Sequence, residues 1–181
     1  TVQVNIEGTK NLIDACDDFT KVILTSTCKS ANPEIVYGAT KLIAERMVLN
    51  SGGSIARYFN VVQSQGNVFE IWDNVPLDQP IKVVQDCYRY FISIDEACGL
   101  ALFAMLNGSG RYIVNTPEIR NIGEVAEALY PDREKEFIER RRGDRKDELF
   151  VSTSEKRTEE CLDGSVLNLF GDHDRVIDYT G

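Results

Sequence analysis

Apolar positions in residues 4–19, VNIEGTKNLIDACDDF, recur at helical spacing, with Ile6, Leu12, Ile13, Cys16 and Phe19 near one face. Gly8 falls on that side, where a missing side chain would admit a close approach to a sheet. KVILTST, 21–27, is a short β-branched run followed by polar punctuation and predicts a strand buried on both faces, as in a parallel sheet. In the loop CKSANPEIV, Pro33 biases Asn32 towards extended geometry. A helix is expected from Tyr37 to about Asn50, closed by SGG at 51–53, and SIARYFNVV, 54–62, is the next strand. Strand, helix and strand in that order imply a right-handed parallel crossover.

The pattern changes after residue 62. QSQGNVFEIWDNVPLDQPIKVV is rich in turn formers, with Pro76 and Pro80 breaking any long element, and ends in an expected short strand, Ile81–Val84. YRYFISI, 88–94, is extended in character and leads into the helix DEACGLALFAML with Asp95 as its expected N-cap. GRYIVNT, 110–116, reads as a strand and NIGEVAEALY as a helix. From Pro131 the chain is charged and weakly periodic, with one strand and a short helix expected in LFVSTSEKRTEECL. No internal repeat or low-complexity segment interrupts this order, and the class is α/β.

Composition narrows the chemistry. The 181 residues allow one substantial core, or a core with a small appended lobe. A net charge of −9 argues against nucleic acid or an anionic membrane surface as the main partner. No apolar run approaches the roughly 20 residues that span a bilayer. Five scattered cysteines with no C-x-x-C pair point to reduced thiols in a cytoplasmic protein rather than zinc or a disulfide framework, and no metal is expected. The single histidine, His173, leaves no room for a histidine-based triad.

Tyr37 and Lys41 stand four residues apart on the expected helix, so both leave one face a turn apart. A free phenol titrates near 10, and a neighbouring ammonium favours its ionised form. The pair is therefore a candidate general acid/base for a sugar or alcohol hydroxyl. Composition alone supplies about a third of such a Y-x-x-x-K pair by chance. The strand ending in Ser-Thr just upstream and the R-x-x-N strand downstream give the spacing its weight.

Taken together, NIEGTKNLIDAC, KVILTSTCKSANPEIVYGATKLIAERM and IARYFNVV resemble the extended short-chain dehydrogenase/reductase family. Within it they are most similar to the polysaccharide-biosynthesis branch that contains the UDP-N-acetylglucosamine 4,6-dehydratases. In that branch the strand is followed by S-T-D-K-A, a proline and Y-G-A-T/S-K. The likeness continues through QDCYRYFISIDEA, similar to D-x-x-x-T-R-F-x-x-x-D-E-A, and RRGDRKDE, similar to R-P-G-E-K-x-x-E.

This resemblance implies the C-terminal part of a Rossmann-like parallel sheet with a small mixed substrate-binding lobe. Residues 1–66 would be a partial NAD(P)-binding half, and 67–181 the substrate region, with 95–116 returning to the sheet. The implied reaction modifies a UDP-sugar, by an inverting or retaining 4,6-dehydratase route, through hydride transfer to bound NAD or NADP in surface-glycan biosynthesis. Tyr37 is the implied base, and Lys41 lowers its pKa and holds the nicotinamide ribose. Thr27 would bond the sugar 4-hydroxyl, Lys29 would assist elimination, and Asn60 would lie near cofactor and substrate phosphates. Arg89 and Arg141 are the implied diphosphate ligands. A homo-oligomer is expected, packing through the helices at 4–19 and 37–50.

Two departures qualify the likeness. The first is of substituted residues: Cys28 stands where the pattern has the aspartate that protonates the departing hydroxyl, and Gln65 replaces an arginine of the G-S-R-G-S-V loop. C4 oxidation needs only Tyr37, Lys41 and cofactor, so a UDP-sugar 4-epimerase stands as an alternative. The second departure is the absence of a G-x-x-G-x-x-G pyrophosphate turn. These residues are thus expected to be the C-terminal part of a longer protein, with strand 21–27 at an exposed edge. Alone they would bind NAD(P) weakly and be inactive. A truncated, non-catalytic sugar-nucleotide-binding homologue is the second alternative.

Overall fold

The structure, a computed structural model, describes residues 1–62, 64–115, 118–141, 144–157 and 166–171. The chain divides into two compact units. The first is built from Thr1–Tyr58, Asp95–Thr116 and the chain from Leu149 on; the second from Phe59–Ile94 and Pro117–Glu148.

In the first unit a π-helical turn, Gln3–Glu7, runs into α1, Gly8–Ala15. The helix expected over 4–19 stops early because Asp17 offers the backbone an alternative partner. Its Oδ1 accepts from Phe19 N at 3.2 Å and from Thr20 Oγ1 at 2.5 Å. Phe19 is consequently outside the helix and 95% exposed. Gly8 is also exposed, and a methyl there would make only an ordinary contact with Gln3 O, so the expected close approach to a sheet is not made.

Strand β1, Ile23–Thr27, leads through a tight turn into α2, Val36–Asn50, and then β2, Ser54–Tyr58. The order is the expected crossover, with β1 and β2 parallel and Ile23 opposite Ser54. Later segments add α4, Ile94–Leu106, and strands β6, Gly110–Val114, β9, Glu155–Arg157, and β10, Val166–Gly171. The sheet order is β1-β2-β6-β10-β9, with β6 parallel to β2 and β10 antiparallel to both neighbours. Strand β1 is therefore an edge of this sheet. Asp95 is not the N-cap of α4 but lies inside its first turn, where a carboxylate still faces unpaired N–H groups.

Alternation along β2 and β6 sends side chains to opposite faces. Ala56 and Tyr112 pack against Leu100 and Ala104 of α4. Arg57 and Arg111, one position away on each strand, meet Glu45 of α2 on the other face. Helices thus cover both sides, as a parallel sheet requires.

The second unit holds strands β3, Asn60–Val61, β5, Tyr88–Ile92, and β7, Ile119–Asn121, in the order β3-β5-β7. A separate parallel pair joins β4, Ile81–Val84, to β8, Lys135–Ile138. Two short helices, α3, Val68–Asp73, and α5, Ile122–Leu129, are each capped by an asparagine, Asn67 and Asn121. The core gathers Trp72, Ile81, Val83, Cys87, Ile122 and Ala126, with the Trp72 indole N–H donating to Lys82 O at 3.0 Å. The single strand expected over 54–62 is in fact two, because the chain leaves the first sheet at Phe59 and Asn60 pairs with Phe91 in the second.

Candidate active site

Thr27 closes β1 in extended conformation, and its Oγ1 accepts from Lys29 N at 3.3 Å, starting the 3-10 turn Cys28–Ser30. The turn is finished by Ala31 N donating to Cys28 O at 3.0 Å. Asn32 then adopts φ +48°, the left-handed region, rather than the extended geometry expected before a proline. Asparagine tolerates that region, which reverses the chain towards α2.

Helix α2 begins hard against this turn. A side chain on Gly38 would overlap the carbonyl of Lys29 and crowd Pro33, so only glycine fits. Tyr37 sits beside it in the first helical turn, 42% exposed, so its ring is not sealed in packed hydrocarbon. Its carbonyl accepts from Thr40 Oγ1 at 2.9 Å, and Thr40 in turn accepts from Asn5 Nδ2 at 3.0 Å. Asn5 in the π-helical turn thus reaches the start of α2, a link the sequence did not announce.

One turn after Tyr37, Lys41 is half-buried and donates from Nζ to Thr25 O of β1 at 3.1 Å. Desolvation lowers the Lys41 pKa, and the negative charge of Glu45 opposes that shift. Thr27, Cys28, Lys29, Tyr37 and Lys41 therefore lie together where β1 ends and α2 begins. Lys29 is exposed, whereas Cys28 is 1% exposed, its Sγ 3.9 Å from Thr27 Oγ1.

Beneath this corner lies a buried group of four charges that sequence reading missed. Glu45 Oε2 meets Arg57 Nη2 at 2.7 Å and Arg111 Nε at 2.8 Å. Glu155 receives both Arg57 terminal nitrogens at 2.8 Å and lies 3.2 Å from Arg111 Nη1. Burial acts against both carboxylates, yet the guanidinium charges and hydrogen bonds hold Glu45 and Glu155 below the usual carboxylate range. Burial likewise opposes the Arg57 charge, and the two glutamates raise its pKa regardless. A signal for Glu45 does exist, since it continues the Tyr37, Lys41 series at the next i+4 position.

In the second unit Asn60 uses its amide nitrogen to reach Tyr90 O at 2.9 Å and Glu148 Oε2 at 2.7 Å. The buried Glu148 also accepts from Tyr90 N at 3.3 Å. This commits both Asn60 amide hydrogens. Arg89 Nη1 bonds the carbonyls of Tyr88, Arg145 and Lys146 at 2.8, 3.1 and 3.3 Å. Arg141 is exposed, while Arg142, Cys161 and His173 lie outside the described residues. The same unit has an open cavity of about 430 Å³, lined by Val84, Gln85, Asp86, Asn121, Gly123 and Phe137. Among the described residues no cluster of His, Cys, Asp and Glu is placed to hold a metal, and no helix is long and apolar enough to cross a membrane.

Comparison with known proteins gives this arrangement its relatives. A family described as "Polysaccharide biosynthesis protein" matches residues 1–168. The UDP-N-acetylglucosamine 4,6-dehydratase (inverting) of Campylobacter jejuni subsp. jejuni serotype O:23/36 (strain 81-176) is 30% identical over 171 residues, covering 85% of this chain and 51% of the relative. The chain thus spans about half the length of that relative. Among solved structures, Pen from Bacillus thuringiensis superposes with a TM-score of 0.80 at 24% identity, covering 94% of this chain and 59% of that one. A UDP-glucose 4-epimerase from Thermus thermophilus, solved with NAD, gives a TM-score of 0.70 at 21% identity, covering 82% and 61%. These two likenesses establish the fold: a Rossmann-type α/β sheet.

Proposed function

The chain belongs to the polysaccharide biosynthesis protein family, and from that premise we propose that the whole protein is a lyase of the UDP-N-acetylglucosamine 4,6-dehydratase type, acting on a UDP-sugar in surface-glycan biosynthesis. The observation that carries this reading is the corner itself. An exposed Tyr37 and a half-buried Lys41 share one face of α2 beside Thr27 and Lys29 at the end of β1.

NAD or NADP, held by Tyr37 and Lys41, would supply the capacity to take up and give back a hydride. Tyr37 and Lys41 offer a hydroxyl and an ammonium one turn apart, a donor set suited to a nicotinamide ribose. Tyr37 would take the proton of the sugar 4-hydroxyl in the oxidation of C4 to a ketone. Lys41 would stabilise the phenolate, Thr27 would orient the 4-hydroxyl, and Lys29 would assist elimination of water, in which the C5 proton and the C6 hydroxyl are lost together and a C5–C6 double bond forms. Of the second unit, Asn60, Arg89 and Arg141 are the residues proposed for phosphate groups, the forked guanidinium being suited to a diphosphate. The working protein is a cytoplasmic homo-oligomer.

A second reading, 4-epimerisation of a UDP-sugar, is favoured by the burial of Cys28. A thiol 1% exposed is poorly placed to protonate a departing hydroxyl, whereas inversion at C4 requires no such acid. The deciding experiment incubates the full-length protein with UDP-N-acetylglucosamine and NAD(P) and follows products by mass spectrometry and NMR. A 4-keto-6-deoxy sugar supports the dehydratase; inversion at C4 alone replaces it with the epimerase; neither product overturns both.

A further inference from the structure

Glu45 takes no part in the reaction written above, yet its carboxylate accepts from Ser26, Ser30, Arg57 and Arg111 beneath it. We propose that Glu45, acting through Ser26 and Ser30, is a positioning residue that fixes the Thr27–Lys29 turn against the helix carrying Tyr37 and Lys41. The inference rests on the reaction reading of the preceding section.

The two serines stand immediately before and after the three residues that carry the candidate chemistry. Ser26 Oγ donates to Glu45 Oε1 at 2.5 Å. The Ser30 hydroxyl lies 2.6 Å from the same oxygen and 2.7 Å from Thr27 O, so its single hydrogen is shared between the carboxylate and the backbone at the strand end. Both serines are buried, so solvent does not compete for these partners.

The carboxylate itself is held so that it cannot turn. Oε2 is anchored on Arg57 and Arg111, Arg57 Nε reaches Oε1 at 3.2 Å, and the far side of each arginine is closed by Glu155. Arg57 Nη1 also reaches Phe150 O at 2.9 Å. On α2, Glu45 is one turn beyond Lys41 and two beyond Tyr37, so the helix relates the three side chains as a rigid rod of about 5.4 Å per turn. One fixed carboxylate thereby sets the separation between the strand-end turn, with Thr27 and Lys29, and the phenol and ammonium opposite. Misplacing such groups by about 1 Å costs on the order of 100-fold in rate.

The test uses the full-length protein with Ser30→Ala and the double variant Ser26→Ala/Ser30→Ala, and two readouts. In the first, Ser30→Ala lowers kcat about 10- to 100-fold with KM within about twofold of wild type, and Ser30→Thr, which retains the hydroxyl, recovers most of the loss. In the second, amide hydrogen exchange at Lys29 and Ala31 accelerates at least about tenfold in Ser30→Ala, while β2 and β6 keep wild-type protection. Exchange and kcat both within twofold of wild type in the double variant overturn the proposal. So does a rate loss accompanied by general loss of protection. A wild-type protein without turnover removes the reaction reading instead, and local exchange at 29–31 then decides whether Glu45 fixes the turn.

Discussion

Gly38 and Lys29 meet backbone to backbone: any side chain at the first would occupy the space of the second's carbonyl oxygen. Glycine within a helix ordinarily costs up to about 1 kcal/mol against alanine, so Gly38→Ala would stabilise an unconstrained helix. Here the expected sign is reversed. Overpacking against backbone should cost about 1–3 kcal/mol in urea unfolding and displace the Thr27–Lys29 turn, lowering turnover as well.

Tyr37 is expected to be dispensable for folding and indispensable for chemistry. Tyr37→Phe removes only a hydroxyl from an exposed ring, so stability should stay within about 0.5 kcal/mol. Loss of the proposed proton acceptor should lower the rate of nicotinamide reduction by roughly 100- to 10,000-fold. Stopped-flow absorbance on the full-length protein with a UDP-sugar measures it, and an unchanged rate would remove Tyr37 from the reaction.

Glu155→Gln takes one carboxylate from a buried set of two arginines and two glutamates. The remaining excess of positive charge has no solvent to relax into, and a loss of about 3–5 kcal/mol is expected. Replacing the exposed ion pair Lys82–Glu136 by alanines should change stability by less than about 1 kcal/mol. Chemical denaturation of the two variants side by side gives the comparison.

Acid should act on the same cluster. The folded-state pKa values of Glu45 and Glu155 lie below 4.5, so each contributes stability that is present in full above pH 4.5 and is lost as pH falls through the lowered values. Circular dichroism between pH 6 and 2 should therefore show helix loss beginning below about pH 4.5. Glu155→Gln, with one such group fewer, should show a shallower dependence.

Asn60 offers a pH test in the second unit. Asn60→Asp would set a second carboxylate against Glu148, 2.7 Å from the present nitrogen. Like charges at that distance cannot both ionise cheaply, so one carboxyl pKa rises. The variant should be less stable than wild type at pH 8 and regain part of the loss near pH 5. Trp72 fluorescence reports it, since that ring lies in the core of the same unit.

The elements readable from sequence were those whose periodicity and punctuation agree. β1, α2 and β4 each join a continuous apolar pattern to a clear stop, and the Tyr37–Lys41 spacing follows from helix geometry alone. Helix α3 was hidden because six residues in a turn-rich stretch give too few repeats, although Asn67 marks its start. Strand β8 pairs with β4 across more than fifty residues, a relation no local pattern carries. The buried charges escaped for another reason. Arg57 and Arg111 occur inside apolar strands, and arginine is normally a surface residue, so their role depends on partners supplied by α2 and by residue 155. Asn60 and Arg89 are similar cases, with partners at 148 and at 145–146.

The first unit is assembled from three stretches of chain separated by the two that form the second. During synthesis, Glu45, Arg57 and Arg111 leave the ribosome long before Glu155. Until that glutamate arrives, two guanidinium groups share one carboxylate in a place meant to be dry. The sheet can gather early, but its electrostatic closure waits for the returning segment. A nascent chain halted at residue 148 should remain open to protease between Ile23 and Tyr58, and resistance should come in a single step once residues through 171 have emerged, because β9 joins the sheet only through β10.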